Sequence, residues 1–149
     1  VPALRGGFVV LADRYVYTLI ARAAVRRIDH DYLENVYDFA VEPDLAFRLD
    51  VPPQTSFERL FENQQSINYW EAGGDLDLSQ NLYESFVDYQ DMLRAEFDRL
   101  EASVAFETVD ADASVRQVNQ ELREAIGEFL AIEDCSYEPS DEFLPIWHK

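Results

Sequence analysis

Lysine is almost missing from this sequence of 149 residues: the only one is the last residue, Lys149. The chain holds 30 acidic residues against 12 basic ones, which gives a formal net charge of −18 at pH 7. A surface with so few cations repels phosphate backbones and anionic membranes, so the sequence disfavours binding to nucleic acid or to a membrane. An acidic surface that keeps arginine and loses lysine also predicts a protein that works at high salt.

Cysteine and long apolar runs are scarce as well. Cys135 is the only cysteine, which excludes an intrachain disulfide and a cysteine metal cluster within these residues. No segment approaches the ~20 apolar residues that span a membrane, and the first residues do not resemble a signal peptide. We therefore expect a cytoplasmic protein, and its length suffices for one domain with a real core.

Apolar patterning predicts strands that alternate with helices. Strand-like apolar runs cover residues 8–12, 45–51 and 104–109. Helical spacing covers residues 16–27, 31–40, 55–62, 81–100 and 113–132. Arg48 interrupts the second run, which indicates a strand end or a half-exposed position. The alternation predicts an α/β fold with a parallel sheet and right-handed crossovers.

Two further segments lack a regular period. Residues 63–80 contain Gly73-Gly74 and predict a long loop, which is either a lid over a ligand or a solvated connection. Residues 133–149 are acidic and carry several aromatic side chains, so we expect them to pack as a tail on a domain formed by residues 1–132.

Residues 6–15 form the most informative stretch, since a glycine turn and an apolar run end there in an acid-base pair. Asp13 and Arg14 follow the run directly and precede a helix. In a parallel sheet they would stand beyond the carboxyl end of a strand, where α/β proteins bind ligands. The simpler interpretation is that Asp13 caps the next helix. Spacing alone favours the cap.

Asp13-Arg14-Tyr15 after an apolar strand resembles the motif of thymidylate kinases, P-loop enzymes that transfer the γ-phosphoryl group of ATP to dTMP with Mg²⁺. The resemblance continues in the family's order through the segments PDLAFRLDVPP at 43–53, FERL at 57–60 and VDA at 109–111. A branch of the family also carries segments similar to YWEAGGDL at 69–76 and YESF at 83–86. Together these matches extend over residues 1–130.

The resemblance implies a three-layer, P-loop NTPase-like parallel sheet with flanking helices, from which the N-terminal strands are missing. No G-x-x-x-x-G-K-[ST] motif occurs in the sequence. The family's first strand lies between the strands that Phe8 and Leu45 begin here, so we expect a gap in the sheet between them. We expect roughly the C-terminal two thirds of such a kinase, inactive without the P-loop that positions and neutralises the phosphates.

The resemblance also implies roles for individual residues. Asp13 is expected to hold Mg²⁺ through water and Arg14 to bind the acceptor phosphate, which makes both candidate catalytic residues. The candidate contacts to the nucleoside monophosphate are Arg14, Tyr15, Tyr17 and Arg22, and those to ATP are Asp110 and Ala111. The resemblance further implies a homodimer in which residues 16–28 form a contact helix.

Several of these residues have simpler interpretations. Tyr15 and Tyr17 suit a packed core about as well as a nucleotide pocket. Asp110 suits the N-terminal cap of the helix that follows it. Arg59, in the segment FERL, is favoured as a surface ion-pair partner over a ligand contact.

The stretch that follows residue 62 departs from the family. The lid of these kinases usually offers Arg or Lys to the transferring phosphoryl group. Here the lid positions are neutral: Asn63, Gln64, Gln65, Ser66 and Asn68. The nearby carboxylates of Glu71, Asp75 and Asp77 are better explained by chance in so acidic a chain than by a metal site.

Two other functions stay open. The neutral lid, and Arg22-Ala23 where the family has a Tyr-Gln pair, slightly favour a P-loop-less relic that serves as a dimerisation or regulatory module. A kinase of another nucleoside or phosphorylated substrate also stays open, since the acceptor side departs most from the family.

Overall fold

Helices and strands alternate in the computed structural model, which describes residues 1–62 and 66–131. The helices are α1 (Pro2–Arg5), α2 (Val16–Val25), α3 (His30–Tyr37), α4 (Pro53–Glu62), α5 (Leu82–Leu100) and α6 (Val115–Phe129). The strands are β1 (Ala46–Asp50) and β2 (Phe106–Asp110). Within the described ranges no helix has both the length and the apolar character needed to cross a bilayer. The predicted acidic tail lies outside the described residues.

Three helices begin where a polar side chain satisfies N–H groups of the first turn, and in α3 the Asp29 carboxylate accepts a hydrogen bond from the backbone N–H of Tyr32. The Asn81 side chain accepts hydrogen bonds from two backbone N–H groups at the start of α5. Ser114 and Gln117 form a capping box at the start of α6. Because Ser114 occupies the cap position, the predicted cap role of Asp110 is wrong.

The start of α2 corrects a second prediction. Tyr15 occupies the N-cap position, and no side chain bonds to the first-turn N–H groups there. Asp13 lies two residues too early to cap the helix, so the simpler interpretation of that carboxylate is also wrong.

The sheet has two strands, and they are parallel as predicted. The register runs from Ala46 opposite Phe106 to Asp50 opposite Asp110. Arg48 lies in the middle of β1 with only 10% of its side chain exposed, so it marks neither a strand end nor a half-exposed position. Its guanidinium lies 2.7 Å from carboxylate oxygens of Asp98 and Glu101. These carboxylates replace water around the buried charge.

One of the three predicted strands, the first in the chain at residues 8–12, does not form. The segment pairs with neither strand, and Phe8 and Leu11 are 69% and 82% exposed. An apolar run becomes a strand only when a neighbouring backbone pairs with it.

The core lies where α2 and α4 pack against α5. Ile20 and Ala24 of α2 form a buried cluster with Leu33 of α3. Phe86 and Tyr89 of α5 are the largest fully buried side chains. The apolar spacing that predicts α5 therefore marks the helix around which the described domain is organised.

Candidate functional site

Two carboxylates stand side by side at the carboxyl edge of the sheet. Asp50 and Asp110 are the last residues of β1 and β2 and lie opposite each other in the register. The Asp50 carboxylate accepts a hydrogen bond of 2.8 Å from Arg94, and the Asp110 carboxylate accepts one of 2.9 Å from the backbone N–H of Asp112. Sequence reasoning missed Asp50, although its place between an apolar run and Pro52-Pro53 is the signal of a strand end.

Both backbone polar groups of Ala111, the N–H and the carbonyl, are hydrogen-bonded. Its N–H donates to the Asp50 carbonyl at 2.7 Å, and its carbonyl accepts from the Arg59 guanidinium at 2.6 Å. Arg59 also lies 3.6 Å from the Asp112 carboxylate, so the predicted ion-pair role is confirmed. The same guanidinium therefore fixes the turn after β2.

A cavity of about 330 Å³ opens beside this turn. It is lined by Arg59, Ala111, Ala113, Val115, Val118, Asn119 and Leu122. The lining is mostly apolar with a guanidinium at its border, which suits a flat heterocycle better than a phosphate group. Among the residues described, no group of three or more metal-ligating side chains comes together.

The two tyrosines at the start of α2 are packed. The Tyr15 hydroxyl donates to the Val41 carbonyl at 2.6 Å, and the rings of Tyr15 and Tyr17 meet edge-on at 5.9 Å. Tyr17 also meets Phe106 edge-on at 5.3 Å. Burial, reinforced by the charge of Glu42, raises the pKa of the Tyr17 hydroxyl. These contacts match the core interpretation of both side chains.

The candidate site residues fall into two separate groups. Phe106 is the first residue of β2, so its contact with Tyr17 places the start of α2 near the amino edge of the sheet. Asp110, four residues along the strand, lies roughly 13 Å away at 3.3 Å per residue. Asp13 and Arg14 lie just before Tyr15, the N-cap residue of α2, and among the described residues no hydrogen bond or ion pair joins either of them to Asp110. The expected placement at the carboxyl edge assumed that residues 8–12 pair in the sheet.

Asp13 and Arg14 are exposed, and within the described chain neither side chain makes a hydrogen bond or an ion pair. Arg14 has a φ of 65°, a left-handed conformation that costs about 1–2 kcal/mol outside glycine. Backbone strain of this kind clusters at functional sites, although it does not by itself define one.

The loop at residues 69–76 is fixed to α2 and α5. The Arg26 guanidinium binds both carboxylate oxygens of Asp75, at 2.7 and 2.9 Å, and donates to the Tyr89 hydroxyl at 3.1 Å. We call these three residues the Arg26 latch. The hydrogen bonds from Arg26 lower the pKa of the Asp75 carboxyl. In addition, the buried Ser85 hydroxyl donates to the Ala72 carbonyl at 2.7 Å. This part of the predicted loop is therefore no plain solvated connection.

Arg22 lies beside this loop rather than beside Asp13. Its guanidinium is 3.6 Å from the Glu71 carboxylate, and both side chains are partly exposed. Since Asp75 binds Arg26 as well, two of the three carboxylates in the acidic cluster are ion-pair partners. The neutral lid positions 63–65 lie outside the described residues. Sequence reasoning missed the Arg26 latch because no local pattern marks it.

A parallel sheet with flanking helices and a cavity at its carboxyl edge is an α/β arrangement, the class in which ligands bind beyond the carboxyl ends of the strands. The family model described as thymidylate kinase matches residues 1–122. The chain belongs to the thymidylate kinase family.

Three curated relatives give the extent of this similarity. A probable thymidylate kinase 2 of Saccharolobus solfataricus is 35% identical over 130 residues, 87% of this chain and 61% of the relative. A probable thymidylate kinase of Thermococcus gammatolerans is 33% identical over 84% of this chain and 58% of its own length. One of Archaeoglobus fulgidus is 29% identical over 91% of this chain and 61% of its own. The chain thus spans about three fifths of the relatives that it matches.

Proposed function

We propose that this chain is part of a cytoplasmic dTMP kinase-like phosphotransferase, which transfers the γ-phosphoryl group of ATP to a nucleoside monophosphate. The match to the family over residues 1–122, which includes the motif Asp13-Arg14-Tyr15, carries the proposal. No P-loop motif occurs in the 149 residues, so the proposal includes that this chain alone is inactive.

Arg14 is the proposed ligand of the acceptor phosphate, and Asp13 the proposed ligand of Mg²⁺. A planar guanidinium with free N–H donors binds phosphate oxygens in pairs. Mg²⁺ keeps several waters and takes one or two carboxylates, so a single exposed carboxylate such as Asp13 fits it. When bound, the ion neutralises charge on the transferring phosphoryl group.

Asp110 and Ala111 are the proposed contacts to ATP, on its adenine side. The apolar cavity beside Ala111 is wide enough for a heterocycle, and Arg59 and Asp50 hold the turn that borders it. The residues present therefore fit the base of ATP. They offer no phosphate-cradling loop.

The activity is tested on a chain extended at its amino end by the upstream coding sequence, if that sequence supplies a P-loop. We expect ADP release that depends on dTMP in a coupled assay. The substitution Arg14→Gln should lower kcat/KM by on the order of 100-fold, as loss of a directed donor to a charged oxygen does. Arg27→Gln is the matched control, because Arg27 is also exposed with a φ of 65°. Equal losses in the two variants, or no dependence on dTMP, would contradict the proposal.

A kinase of another nucleoside monophosphate, or of another phosphorylated substrate, is the alternative that Arg22-Ala23 favours. The same assay, run with dTMP and with other acceptors, decides between the two substrates. Faster ADP release with another acceptor than with dTMP would favour the alternative.

A non-catalytic dimerisation or regulatory module is the second candidate function, and exposed apolar residues on α2, on α3 and in the connection between them favour it. Leu19, Ile28, Tyr32 and Val36 are all exposed. The homodimer that we propose for the kinase uses the segment 16–28, which contains α2 and Ile28. Sedimentation of the chain and of Leu19→Glu tests the dimer, and an upstream sequence without a P-loop favours the module.

Salt adaptation is a proposal about the environment of the protein. Self-repulsion among 30 acidic residues falls when salt screens the charges, so KCl should stabilise the fold. We expect a higher unfolding midpoint in molar KCl than in dilute buffer, and equal midpoints would contradict the proposal.

A further inference from the structure

The apolar residues of α6 form a stripe along one side of the helix. Their spacing of three and four residues places them in line, and the stripe consists of Val115, Val118, Leu122, Ile126 and Phe129. Val115 is 88% exposed and Phe129 is 53% exposed, and of all the residues in α6 only Gly127 is buried. Within the described chain the stripe therefore lacks a cover of the kind that buries Phe86 and Tyr89 of α5.

The amino half of the stripe forms one wall of the cavity beside the turn after β2. Val115, Val118 and Leu122 line this cavity together with Ala111 and Arg59. Its volume is about 330 Å³, whereas an apolar cavity of ~150 Å³ is enough for a benzene molecule. The cavity therefore has room for an aromatic side chain, and a guanidinium at its border attracts the face of such a ring.

The end of α6 turns the chain away from the helix axis. Leu130 is the C-cap residue, and Ala131 has a φ of 53°, the left-handed conformation that commonly ends a helix. The Ala131 N–H donates to the Glu128 carbonyl at 3.1 Å. The chain therefore does not continue α6 beyond Ala131, and the tail, residues 133–149, begins two residues after this turn.

The tail matches the stripe in length and in spacing. α6 is roughly 22 Å long at 1.5 Å per residue, and residues 133–147 span up to roughly 50 Å when extended. The tail ends in an apolar block, FLPIW at 143–147. In an extended segment the side chains of Phe143 and Trp147 lie on the same side, about 13 Å apart. Val118 and Ile126 are separated by a similar distance, about 12 Å along α6.

Charge favours the tail over a second copy of the chain as the cover of the stripe. The tail has five acidic side chains, and on α6 Arg116 and Arg123 directly follow stripe residues. Arg59 adds a third guanidinium at the cavity. Two copies that each carry a net charge of −18 repel each other. A tethered segment, in contrast, has an effective concentration in the millimolar range.

We propose that the tail packs back along the stripe of α6, with Trp147 in the cavity beside Val118 and with Phe143 against Ile126. The packed tail covers apolar side chains that the described chain leaves exposed. The cavity is also the place proposed for the base of ATP, so the tail and that base exclude each other. This consequence rests on the proposed function, whereas the packing of the tail does not.

Trp147 reports directly on the packing. The chain has two tryptophans, so Trp70→Phe leaves Trp147 as the only one in the 149-residue chain. We expect its emission at a shorter wavelength than in the chain unfolded by denaturant, and protection from quenching by acrylamide.

Val115→Asp in this background tests the contact with the stripe. It should lower the packed fraction by on the order of tenfold and shift the Trp147 emission to longer wavelength, because the packed ring would bury an unpaired carboxylate. Val9→Asp is the matched control, since Val9 is 66% exposed and does not line the cavity. Phe143→Ser should act in the same direction as Val115→Asp without changing the described domain, so the test stays valid if circular dichroism shows that Val115→Asp fails to fold.

Two results would overturn the inference. One is a Trp147 emission equal to that of the unfolded chain, or equal effects of Val115→Asp and Val9→Asp. The other is an emission that changes over about a hundredfold range of protein concentration, because packing within one chain does not depend on concentration. That result would assign the stripe to a second copy.

Adenosine separates this inference from the proposed function. We expect it to release Trp147 and shift the emission to longer wavelength, and we expect inorganic phosphate to leave the emission unchanged. A protected Trp147 that does not respond to adenosine keeps the packed tail and removes the proposed contact to ATP. ADP release by the extended chain with an unprotected Trp147 keeps the kinase and removes the packed tail.

Discussion

Arg14 and Arg26 lie near opposite ends of α2, and their surroundings differ. Arg26 lies in a packed, hydrogen-bonded region, whereas Arg14 lies in an exposed one. Arg26 donates to five acceptor atoms from α2, α5 and the 69–76 loop, and it lies over the buried ring of Tyr89. Arg14, in the described chain, binds no side chain or carbonyl, and it follows an apolar run whose side chains are more than half exposed. Contiguous exposed apolar surface of this kind marks an interaction site. The first region stabilises the fold, and the side chains of the second are exposed to solvent.

The core prediction compares two phenylalanines, one from each region. Phe86→Ala removes a ring that is 2% exposed and should lower the free energy of unfolding by about 3–5 kcal/mol. Phe8→Ala removes a ring that is 69% exposed and should change it by less than about 0.5 kcal/mol. Denaturant titration measures both. Similar losses would show that the two regions contribute equally to the stability of the chain.

A pair of glycines sharpens the comparison. Gly73 and Gly7 both have positive φ, at 64° and 78°, so alanine strains the backbone at either position by about 1–2 kcal/mol. Only at Gly73 does the new Cβ meet Tyr89, whereas nothing lies within 4 Å of it at Gly7. The clash should add about 1–3 kcal/mol to the loss of stability at Gly73. Equal losses in the two variants would mean that the loop shifts away from α5 without cost.

Acid should weaken the Arg26 latch by protonating the Asp75 carboxylate. The pKa of the Asp75 carboxyl is lower in the folded state than its ordinary value of 3.8, so this pair stabilises the fold above that pH. The contribution is lost as the pH falls from that value through the lowered pKa. The difference in stability between the parent chain and Asp75→Asn should therefore shrink as the pH falls below 3.8. A difference that stays constant from pH 7 to pH 3 would show that the Asp75 charge does not hold the loop.

The local part of the fold is predictable from the sequence. Apolar spacing of three and four residues marks α5, and Ser114 with Gln117 three residues later marks the start of α6. β1 and β2 are recognisable as apolar runs bounded by turn residues. These signals depend on neighbours within one or two turns, which is why they survive in the structure.

The other features of the fold and of the candidate site depend on contacts between residues that are far apart in the sequence. Arg48 is buried in a strand because Asp98 and Glu101, about 50 residues later, surround its charge. Arg26 meets Asp75 and Tyr89 across 49 and 63 residues. The apolar run at residues 8–12 has the composition of a strand but no paired neighbour in the described chain. Asp13 and Arg14 were expected at the sheet edge because of that run.

The central claim is that this chain carries the acceptor side of a dTMP kinase-like site and not the part that positions the phosphates of ATP. A coupled assay with ATP, Mg²⁺ and dTMP on the 149-residue chain alone tests it most directly. We predict ADP release no faster than the background without protein. Turnover above that background, abolished by Arg14→Gln, would contradict the claim, because the chain would then supply phosphate positioning without a P-loop.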